Sequence, residues 1–333
     1  MKKLRIAING FGRLGRSIAR VIAQREDMEL VALNDVASWE VLSYLLEFDS
    51  THGKFPKHVE FKDQKLFIDG LEISLSNERD PNCINFGEVD IVLESSGQYL
   101  RTDLVAHHLK KGAKKVILTA PASDLMPTFV LGVNHLQYRG ENIISNASCT
   151  TNCLAPICKI LDTHFEVLSG IITTIHSYTN DQNLLDNAHR SDKRRSRSAA
   201  NNIIPTTTGA AKNLHRVLPQ FKNKLHGHSV RVPVEDVSML DLNVNLGKNP
   251  SRETLNQIFK EYAETEMKGI LRVDDKFGVS RDFLGDSHSA IIAEDLSFNV
   301  SGLTKIMAWY DNEWGYSNRI VEMARYIIDT TEG

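Results

Sequence analysis

The sequence lacks three features that would each place it in a particular class of protein. No apolar run approaches the roughly eighteen residues that a membrane-spanning helix requires. Four cysteines in 333 residues are too few for a disulfide framework. The formal net charge of -3 at pH 7 gives no overall electrostatic reason to expect nucleic acid or an anionic membrane as the main partner.

The start of the chain also lacks the pattern of a signal peptide. Two lysines precede an apolar run, but Asn9, Gly10 and Arg13 interrupt that run and no small-residue cleavage site follows. We therefore expect a cytoplasmic chain. With 41% hydrophobic and 24% charged residues, the composition is that of a globular protein, and the length predicts two domains.

A glycine-rich turn near the start of the chain is typical of a dinucleotide-binding fold. It follows an apolar strand at 4–8 and precedes a helical pattern at 16–25 and a second strand at 30–33. Gly10 permits the tight turn, Gly12 lets a pyrophosphate approach the backbone, and Gly15 lets the helix pack close to the strand. Asp35 would bind a ribose hydroxyl. The alternative is a glycine-rich turn without a ligand, and the combined context favours the dinucleotide site.

The two halves of the chain show different strand patterns. Up to about residue 146, short strands alternate with helical patterns, which favours a mostly parallel sheet with its ligand at the carboxyl ends of the strands. Those ends carry the polar residues Asn9, Asp35, Ser96, Thr119 and Asn146. The second half contains longer strands, and 238–246 alternates partly, as in a sheet with one solvent-facing side. The polar segment 180–202 predicts a long loop.

The segment around Cys149 is the second one that indicates chemistry. It follows a short strand and leads into an apolar-periodic helix, for which Ser148 is a suitable N-cap. Cys149 then lies in the first turn, where the helix dipole favours a nucleophilic thiolate. Pro156 lies deep for a first turn, so we expect a kink or a later helix start.

A lone cysteine is more often a buried structural thiol, and we assign that role to Cys83, Cys153 and Cys158. The spacing of Cys149 and Cys153 could indicate a metal pair, but no second matching ligand pair stands out, so we predict no metal site. His176 ends a strand at 171–175 and is a candidate base. The sequence contains twelve histidines, and spacing alone does not select one of them.

Several segments resemble the motifs of one enzyme family. They are Ile8-Asn9-Gly10-Phe11-Gly12-Arg13 with Gly15-Arg16, and the segments at 145–156, 176–182, 204–212, 231–233 and 309–316. The segment at 145–156, around Cys149, is highly specific, and the resemblance runs along the whole chain. On these motifs the sequence resembles the phosphorylating glyceraldehyde-3-phosphate dehydrogenases.

The resemblance implies a covalent mechanism. Cys149 attacks the aldehyde of D-glyceraldehyde 3-phosphate and forms a thiohemiacetal, and His176 takes a proton and assists hydride transfer to a nicotinamide. Inorganic phosphate then cleaves the resulting thioester to give 1,3-bisphosphoglycerate. Thr179 and Arg231 match the family's site for the substrate phosphate. The site for inorganic phosphate is matched by Ser148, Thr150, Thr208 and Gly209.

The resemblance also implies NAD as the cofactor. Asn312 matches the residue that orients the nicotinamide amide. The full set of positions that match cofactor contacts is Gly10, Phe11, Gly12, Arg13, Leu14, Gly15, Asp35, Arg79, Ser96, Thr119, Asn312 and Tyr316.

The fold implied by the resemblance is α/β, with a Rossmann dinucleotide-binding domain and a catalytic domain that has a large, mostly antiparallel sheet. We expect the NAD-binding domain at 1–148, completed by a C-terminal helix at 313–333, and the catalytic domain at 149–312. The loop at about 180–202 resembles the family's S-loop, which implies a homotetramer. Because it carries five basic residues, a solvated loop or a nucleic-acid patch is the alternative; these residues are Arg190, Lys193, Arg194, Arg195 and Arg197.

The sequence departs from the NAD-specific members of the family in two places. Those members carry Leu-Pro where Asn187-Ala188 stand here, and Val36 and Ala37 also differ from their commonest pattern. Asp35, by contrast, should repel a ribose 2′-phosphate by like charge. We expect NAD as the cofactor and leave use of NADP open.

Two other functions remain as alternatives. Erythrose-4-phosphate dehydrogenase shares the fold and the Cys/His pair, but its members depart from the patterns at 177–180 and 206–210 that this chain follows. A non-catalytic nucleotide- or RNA-binding protein on the same fold would be expected to lose Cys149, His176 or Arg231, and all three are present.

Overall fold

A computed structural model of the chain describes residues 3–189 and 191–332. The ends of the predicted domains at Met1, Lys2 and Gly333, and Arg190 of the predicted loop, lie outside the described residues.

The helices and strands up to residue 148 are, in chain order, β1 (Leu4–Asn9), α1 (Arg13–Ile22), β2 (Met28–Asn34), α2 (Trp39–Glu47), β3 (Phe48–Asp49), β4 (Gly53–Lys54), β5 (Val59–Lys62), β6 (Lys65–Ile68), β7 (Leu71–Ser76), β8 (Val89–Glu94), α3 (Thr102–Val105), α4 (His107–Lys110), β9 (Ala113–Leu118) and β10 (Ile143–Ser145). From residue 149 they are α5 (Cys149–Phe165), β11 (Val167–Ser177), β12 (Ile204–Thr207), α6 (Ala210–Asn213), β13 (Leu225–Val232), β14 (Ser238–Leu246), α7 (Arg252–Glu264), β15 (Leu271–Asp274), β16 (Ala290–Ala293), β17 (Phe298–Val300), β18 (Leu303–Tyr310) and α8 (Trp314–Glu332).

The chain divides into two compact units. The first unit runs to Val130, resumes at Leu136–Ser148 and takes up the chain again from Ser317. The second unit contains Leu131–His135 and Cys149–Tyr316. Among the described residues, no helix is both long and apolar enough to cross a membrane.

The sheet of the first unit has the order β10-β9-β8-β1-β2-β7-β6-β5. The strands from β10 to β7 are parallel, and β7, β6 and β5 form antiparallel hairpins at one edge. The register places Asn9 beside Asn34 on one side and beside Glu94 on the other. Three polar side chains therefore meet at the carboxyl ends of neighbouring strands, and of these three the sequence analysis named only Asn9.

Helix α1 begins at Arg13, three residues before the predicted start. Gly12 is extended, with ψ of -162°, and the helix starts directly after it. The apolar periodicity becomes visible only from Ile18, because the first turn carries arginine and glycine, so periodicity alone placed the start too late.

The sheet of the second unit has the order β12-β13-β11-β14-β18-β16-β15, and β17 pairs with β18. The pairs β11–β13 and β15–β16 are parallel, and the other neighbours are antiparallel. The predicted α/β fold, with a mostly antiparallel second sheet, is confirmed. Helix α5 lies against β14 and β16, and its residues from Thr150 to Cys158 are buried.

The segment between Ser177 and Ile204 has no helix or strand among its described residues, which confirms a long loop there. Hydrogen bonds and ion pairs within the segment hold its backbone in place of regular secondary structure. Asn187 N–H donates to the Ser196 carbonyl at 2.9 Å, and Arg197 pairs with Asp186 at 2.7 Å.

Candidate active site

A sharp turn joins β10 to the helix that begins at Cys149. Ala147 has a left-handed backbone with φ of 57°, and its N–H donates to the Ser145 hydroxyl at 3.1 Å. This conformation costs a non-glycine residue roughly 1–2 kcal/mol. Helix α5 starts at Cys149 and continues through Pro156, so the expectation of a later start is wrong and the thiol lies in the first turn.

His176 on β11 faces this thiol. Its Nε2 lies 3.7 Å from Sγ of Cys149. The parallel register of β11 and β13 places His176 beside Arg231. Nδ1 of His176 lies 2.8 Å from the Ser177 carbonyl oxygen and 2.7 Å from Nη1 of Arg231. The structure thus brings together the three residues that the sequence selects as nucleophile, base and phosphate-binding cation.

Burial and nearby groups shift the pKa values of the pair. Burial, followed by the nearby charge of Arg231, lowers the pKa of His176 to about 3. Burial also raises the pKa of the Cys149 thiol, although Thr150 and Arg231 act in the opposite direction. The sequence predicts a thiolate from the helix dipole alone. In the folded protein the enclosure of the thiol works against that ionisation, whereas Thr150 and Arg231 favour it.

Tyr310, at the end of β18, is a site residue that the sequence reasoning did not single out. Its hydroxyl lies 3.0 Å from Oγ1 of Thr150 and 2.7 Å from Oγ1 of Thr174, and its ring packs edge-on against His176 at 6.0 Å. Burial raises the pKa of Tyr310, so the hydroxyl stays protonated. Tyr310 therefore fixes the first turn of α5 and the imidazole ring together.

The two residues predicted for the substrate phosphate are held by other residues of the second unit. Thr179 donates its hydroxyl hydrogen bond to Asp181. Arg231 donates to the Ser177 carbonyl at 2.8 Å. A second cation, Arg195, pairs with Asp181 and donates to Thr206 Oγ1 at 2.9 Å. Arg195 was grouped with the basic residues of the loop, and its position beside Asp181 could not be read from composition.

The residues predicted for inorganic phosphate lie at two turns. Thr208 and Gly209 connect β12 to α6, and Thr208 Oγ1 accepts a hydrogen bond from Ala210 N–H at 3.2 Å. Ser148 is the last residue of the first unit before α5, and Thr150 is the second residue of that helix.

Asn312 is held by two buried serines. Its Oδ1 accepts hydrogen bonds from the hydroxyls of Ser177 at 3.0 Å and Ser238 at 2.6 Å. Because the two serines hold the amide oxygen, the amide donor Nδ2 points away from them. Tyr316, the other predicted contact in this part of the chain, is buried in α8.

The first unit contains a cavity of about 360 Å³ at the carboxyl ends of its strands. Its lining includes the predicted residues Gly10, Gly12, Asp35, Arg79 and Ser96. The glycines fit a dinucleotide. A Cβ on Gly10, whose φ is 90°, would lie 2.5 Å from the Ser96 backbone. Gly12 faces open space, as close approach of a pyrophosphate requires.

Polar contacts hold several predicted cofactor residues of the first unit. Asp35 Oδ2 accepts a hydrogen bond from Phe11 N–H at 2.6 Å, which fixes the carboxylate beside the glycine turn. Thr119 Oγ1 lies 3.1 Å from the Ser95 hydroxyl, next to Ser96. Arg13 and Leu14 begin α1, and the Arg13 guanidinium pairs with Asp49 at 3.2 Å.

Glu94 is a second residue that the sequence reasoning missed. It is completely buried at the end of β8. One carboxylate oxygen accepts from Asn9 Nδ2 at 2.6 Å and lies 3.3 Å from His108 Nε2. The other accepts from Ser96 N–H at 3.0 Å and from its hydroxyl. In the sequence, a glutamate at the end of an apolar strand looks like a solvent-exposed strand end. Its role becomes apparent only from its buried hydrogen-bond partners.

Comparisons with known proteins point to one family. Residues 148–312 match the family model for the C-terminal domain of glyceraldehyde 3-phosphate dehydrogenase, and residues 4–102 match the model for its NAD binding domain. A glyceraldehyde-3-phosphate dehydrogenase of Helicobacter pylori strain J99 is 50% identical over 333 residues, which cover 97% of this chain and 99% of that protein. Its counterpart from Geobacillus stearothermophilus is 46% identical over 329 residues, covering 97% and 98% of the two chains. One from the plant Atriplex nummularia is 45% identical over 338 residues, covering 99% and 94%.

Proposed function

Since the chain belongs to the glyceraldehyde-3-phosphate dehydrogenase family, we propose that it oxidises D-glyceraldehyde 3-phosphate with NAD and inorganic phosphate to 1,3-bisphosphoglycerate. The observation that carries this proposal is the distance of 3.7 Å between Cys149 Sγ and His176 Nε2, with Arg231 beside the same imidazole. A nucleophile, a base and a cation for a phosphate are the groups that this reaction needs.

The first chemical step joins Cys149 to the aldehyde carbon. The thiol proton passes to Nε2 of His176 as the sulfur attacks, and it then neutralises the developing alkoxide, which gives a thiohemiacetal. NAD, when bound, supplies the hydride acceptor for the oxidation. His176 takes the hydroxyl proton during that oxidation, which leaves a thioester on Cys149 and an imidazolium.

The second chemical step returns the thiol. An oxygen of inorganic phosphate attacks the thioester carbon, the carbon–sulfur bond breaks, and the imidazolium of His176 returns its proton to the sulfur. The hydroxyls of Ser148, Thr150 and Thr208 and the backbone of Gly209 suit the inorganic phosphate, because neutral donors bind it without adding charge. Arg231 and Thr179 suit the phosphate of the substrate.

NAD is the cofactor of the family domain that residues 4–102 match. The fixed carboxylate of Asp35 supports a preference for NAD over NADP, because a ribose 2′-phosphate would be repelled by it. We propose that turnover with NADP is the slower reaction.

We also propose a homotetramer. The sheet of the second unit exposes apolar side chains on one face, among them Ile171, which is 61% exposed, and Leu303, which is 45% exposed. The two side chains lie on the same face of the sheet. Ile171 pairs with Asn243 and Leu303 pairs with Asn245, and these two partners are two residues apart on β14. An apolar face of this kind is typical of a subunit interface. A cytoplasmic location is proposed as well, because that compartment keeps a nucleophilic thiol reduced.

The direct test is formation of reduced cofactor by the purified protein. We expect phosphate-dependent turnover of glyceraldehyde 3-phosphate, faster with NAD than with NADP. Erythrose 4-phosphate serves as the second substrate. Turnover of erythrose 4-phosphate alone would overturn the substrate assignment, and equal rates with the two cofactors would overturn the role of Asp35.

A further inference from the structure

Two histidines lie side by side on the exposed face of β13. His226 and His228 occupy alternate positions of this strand, and both side chains are exposed. Their ring centroids are 5.8 Å apart, with an angle of 61° between the ring planes. Residues two apart on a strand point to the same side of the sheet, so the two imidazoles project from one surface.

The ring nitrogens of this pair are not used by the fold. Apart from the contact between the two rings, neither imidazole has a hydrogen-bond or ion-pair partner within residues 3–189 and 191–332. Each neutral ring therefore keeps one nitrogen lone pair for a ligand. Neutral imidazole is the donor that Zn²⁺, Cu²⁺ and Ni²⁺ bind well in proteins.

The spacing of the two rings suits chelation of a single ion. A metal–nitrogen bond of about 2.0–2.1 Å puts the ring centroid roughly 3.2 Å from the ion. Two rings at a tetrahedral angle then have centroids about 5.2 Å apart. The observed distance of 5.8 Å is close to this value, so small side-chain rotations bring one nitrogen of each ring to a common ion.

The backbone between the two rings is held from both sides. Gly227 lies beside Ile172 of β11, and a Cβ on this glycine would lie 2.3 Å from the Ile172 carbonyl oxygen. On its other side β13 is paired with β12. Because both edges of β13 are paired, the two histidines keep a fixed spacing, and binding of an ion orders only their side chains.

The pair belongs to the sheet face that we assign to a subunit interface. The register places His226 beside Ile171, the exposed apolar residue of β11. His228 lies between Thr173 of β11 and Thr207 of β12. A contact between two copies that is symmetric about a two-fold axis places the same surface patch of each copy against the other. Assembly through the face around Ile171 therefore brings a second histidine pair to this part of the molecule.

One chain by itself supplies only part of a metal site here. Within the described part of the chain, no third histidine, cysteine or carboxylate lies close enough to join the pair in a cluster. Asp241 is one strand beyond Thr173 on the same face, and it is paired with Lys305 at 2.6 Å. A structural zinc site has four protein ligands, so two are still needed.

We propose that His226 and His228 chelate a divalent transition-metal ion such as Zn²⁺, and that the same pair of a second copy completes its coordination. Each ring gives the lone pair of one nitrogen and water leaves the ion, so no electron is transferred. The shared ion rests on the homotetramer proposed above. The prediction of no metal site considered only cysteine spacing, because two histidines at this spacing share a face only in a strand.

The binding test is a calorimetric titration of the NAD-loaded protein with Ni²⁺, which suits imidazole ligands. All proteins carry Cys149→Ser, which removes the reactive thiol as a competing ligand. We expect about one Ni²⁺ per two chains. His226→Asn and His228→Asn should each raise the Kd at least about tenfold, because linked ligands bind far more tightly than single ones. His58→Asn, at an exposed histidine of the first unit, should leave the Kd unchanged.

The assembly test measures mass by light scattering coupled to gel filtration, at dilutions where the metal-free protein partly dissociates. Ni²⁺ should shift the protein with both histidines to the larger species, and EDTA should reverse the shift. His226→Asn and His228→Asn should not respond to Ni²⁺. Their melting temperatures without metal should match that of the parent protein, which separates loss of the site from loss of the fold.

The outcomes separate this proposal from those that it accompanies. Ni²⁺ binding that survives both substitutions, or one Ni²⁺ per chain without any change of mass, would overturn the shared site. A monomeric mass with and without Ni²⁺ would overturn the homotetramer as well. Neither test measures turnover, so loss of the metal site leaves the proposed oxidation of glyceraldehyde 3-phosphate to its own assay.

Discussion

At the scale of single residues, the reactivity of Cys149 depends on groups from other elements. His176 comes from β11, Arg231 from β13 and Tyr310 from β18. Since burial raises the pKa of the thiol, a base that takes its proton assists the attack of Cys149. The imidazole of His176, whose Nε2 lies 3.7 Å from the sulfur, is placed to supply that base.

Replacement of the nucleophile tests this arrangement. Cys149→Ser should lose at least about 10³-fold in kcat, because a hydroxyl with a much higher pKa replaces the thiol. The affinity for NAD, measured by calorimetry, should stay within about twofold of the wild-type value. The residues that line the cavity all belong to the first unit, and Cys149 is not one of them. Strong residual turnover would contradict the assignment.

The low pKa of His176 predicts a pH dependence of stability. The unfolded chain binds a proton at this residue below about pH 6.5, but the folded protein does not until about pH 3. The free energy of unfolding should therefore fall as the pH falls through this window, by up to about 1.4 kcal/mol per pH unit from this residue. Urea unfolding of wild type and His176→Gln between pH 4.5 and 7 measures the difference. Parallel curves for the two proteins would show that His176 is not buried in its neutral form.

The sequence could identify single residues only where a motif or a helix end marked them. Cys149 and the glycine turn were found in this way, and His176 was selected from twelve histidines only through the family resemblance. Tyr310 and Glu94 were missed because their partners are distant in sequence. Tyr310 bonds to Thr150, and Glu94 to Asn9, through contacts that exist only after the strands have paired.

At the scale of elements, the ends of β8, β1 and β2 form a connected polar edge. Glu94 bonds to Asn9, and Asn9 Oδ1 accepts from Asn34 Nδ2 at 2.8 Å. Glu94 also fixes Ser96, which lines the cavity. The positions of the cavity walls therefore depend on one buried carboxylate.

Substitution of that carboxylate should weaken cofactor binding. In Glu94→Gln the side-chain NH₂ faces groups that are themselves donors, so at least one buried hydrogen bond is lost, at a cost of about 1–3 kcal/mol. We expect the Kd for NAD to rise roughly tenfold. Calorimetric titration and the melting temperature of the cofactor-free protein are measured together. Glu72→Gln, at an exposed position paired with Lys65, is the matched control.

An unchanged Kd in Glu94→Gln would show that the polar edge does not position the cofactor. A lower melting temperature with an unchanged Kd would assign Glu94 a structural role only.

Long, strongly patterned elements were predicted best. The strand at 238–246 was predicted with the bounds that β14 has, because Leu240, Leu242 and Val244 are buried on alternate positions. The chain between β8 and β9 instead forms two short helices, α3 and α4, which are divided at Ala106. The hairpins of β5, β6 and β7 escaped prediction, since charged residues on their exposed positions hide a short apolar alternation.

At the scale of the whole molecule, the exposed apolar face around Ile171 predicts assembly. Ile171→Asp places a charge in the middle of that face and should shift the protein to smaller species, because a buried unpaired carboxylate opposes association. Light scattering coupled to gel filtration measures the mass. Leu71→Asp, at a position that is 59% exposed on the first unit, should keep the wild-type mass. Equal masses for all three proteins would place the interface elsewhere.

The central claim is that Cys149 carries the acyl group until inorganic phosphate removes it. The most direct measurement mixes the protein with glyceraldehyde 3-phosphate and NAD without phosphate, and follows NADH and the intact mass of the chain. The account predicts a burst of about one NADH per chain, a phosphoglyceryl adduct on Cys149, and steady turnover with loss of the adduct when phosphate is added. Continuous turnover without phosphate, or a burst with no adduct on Cys149, would contradict it.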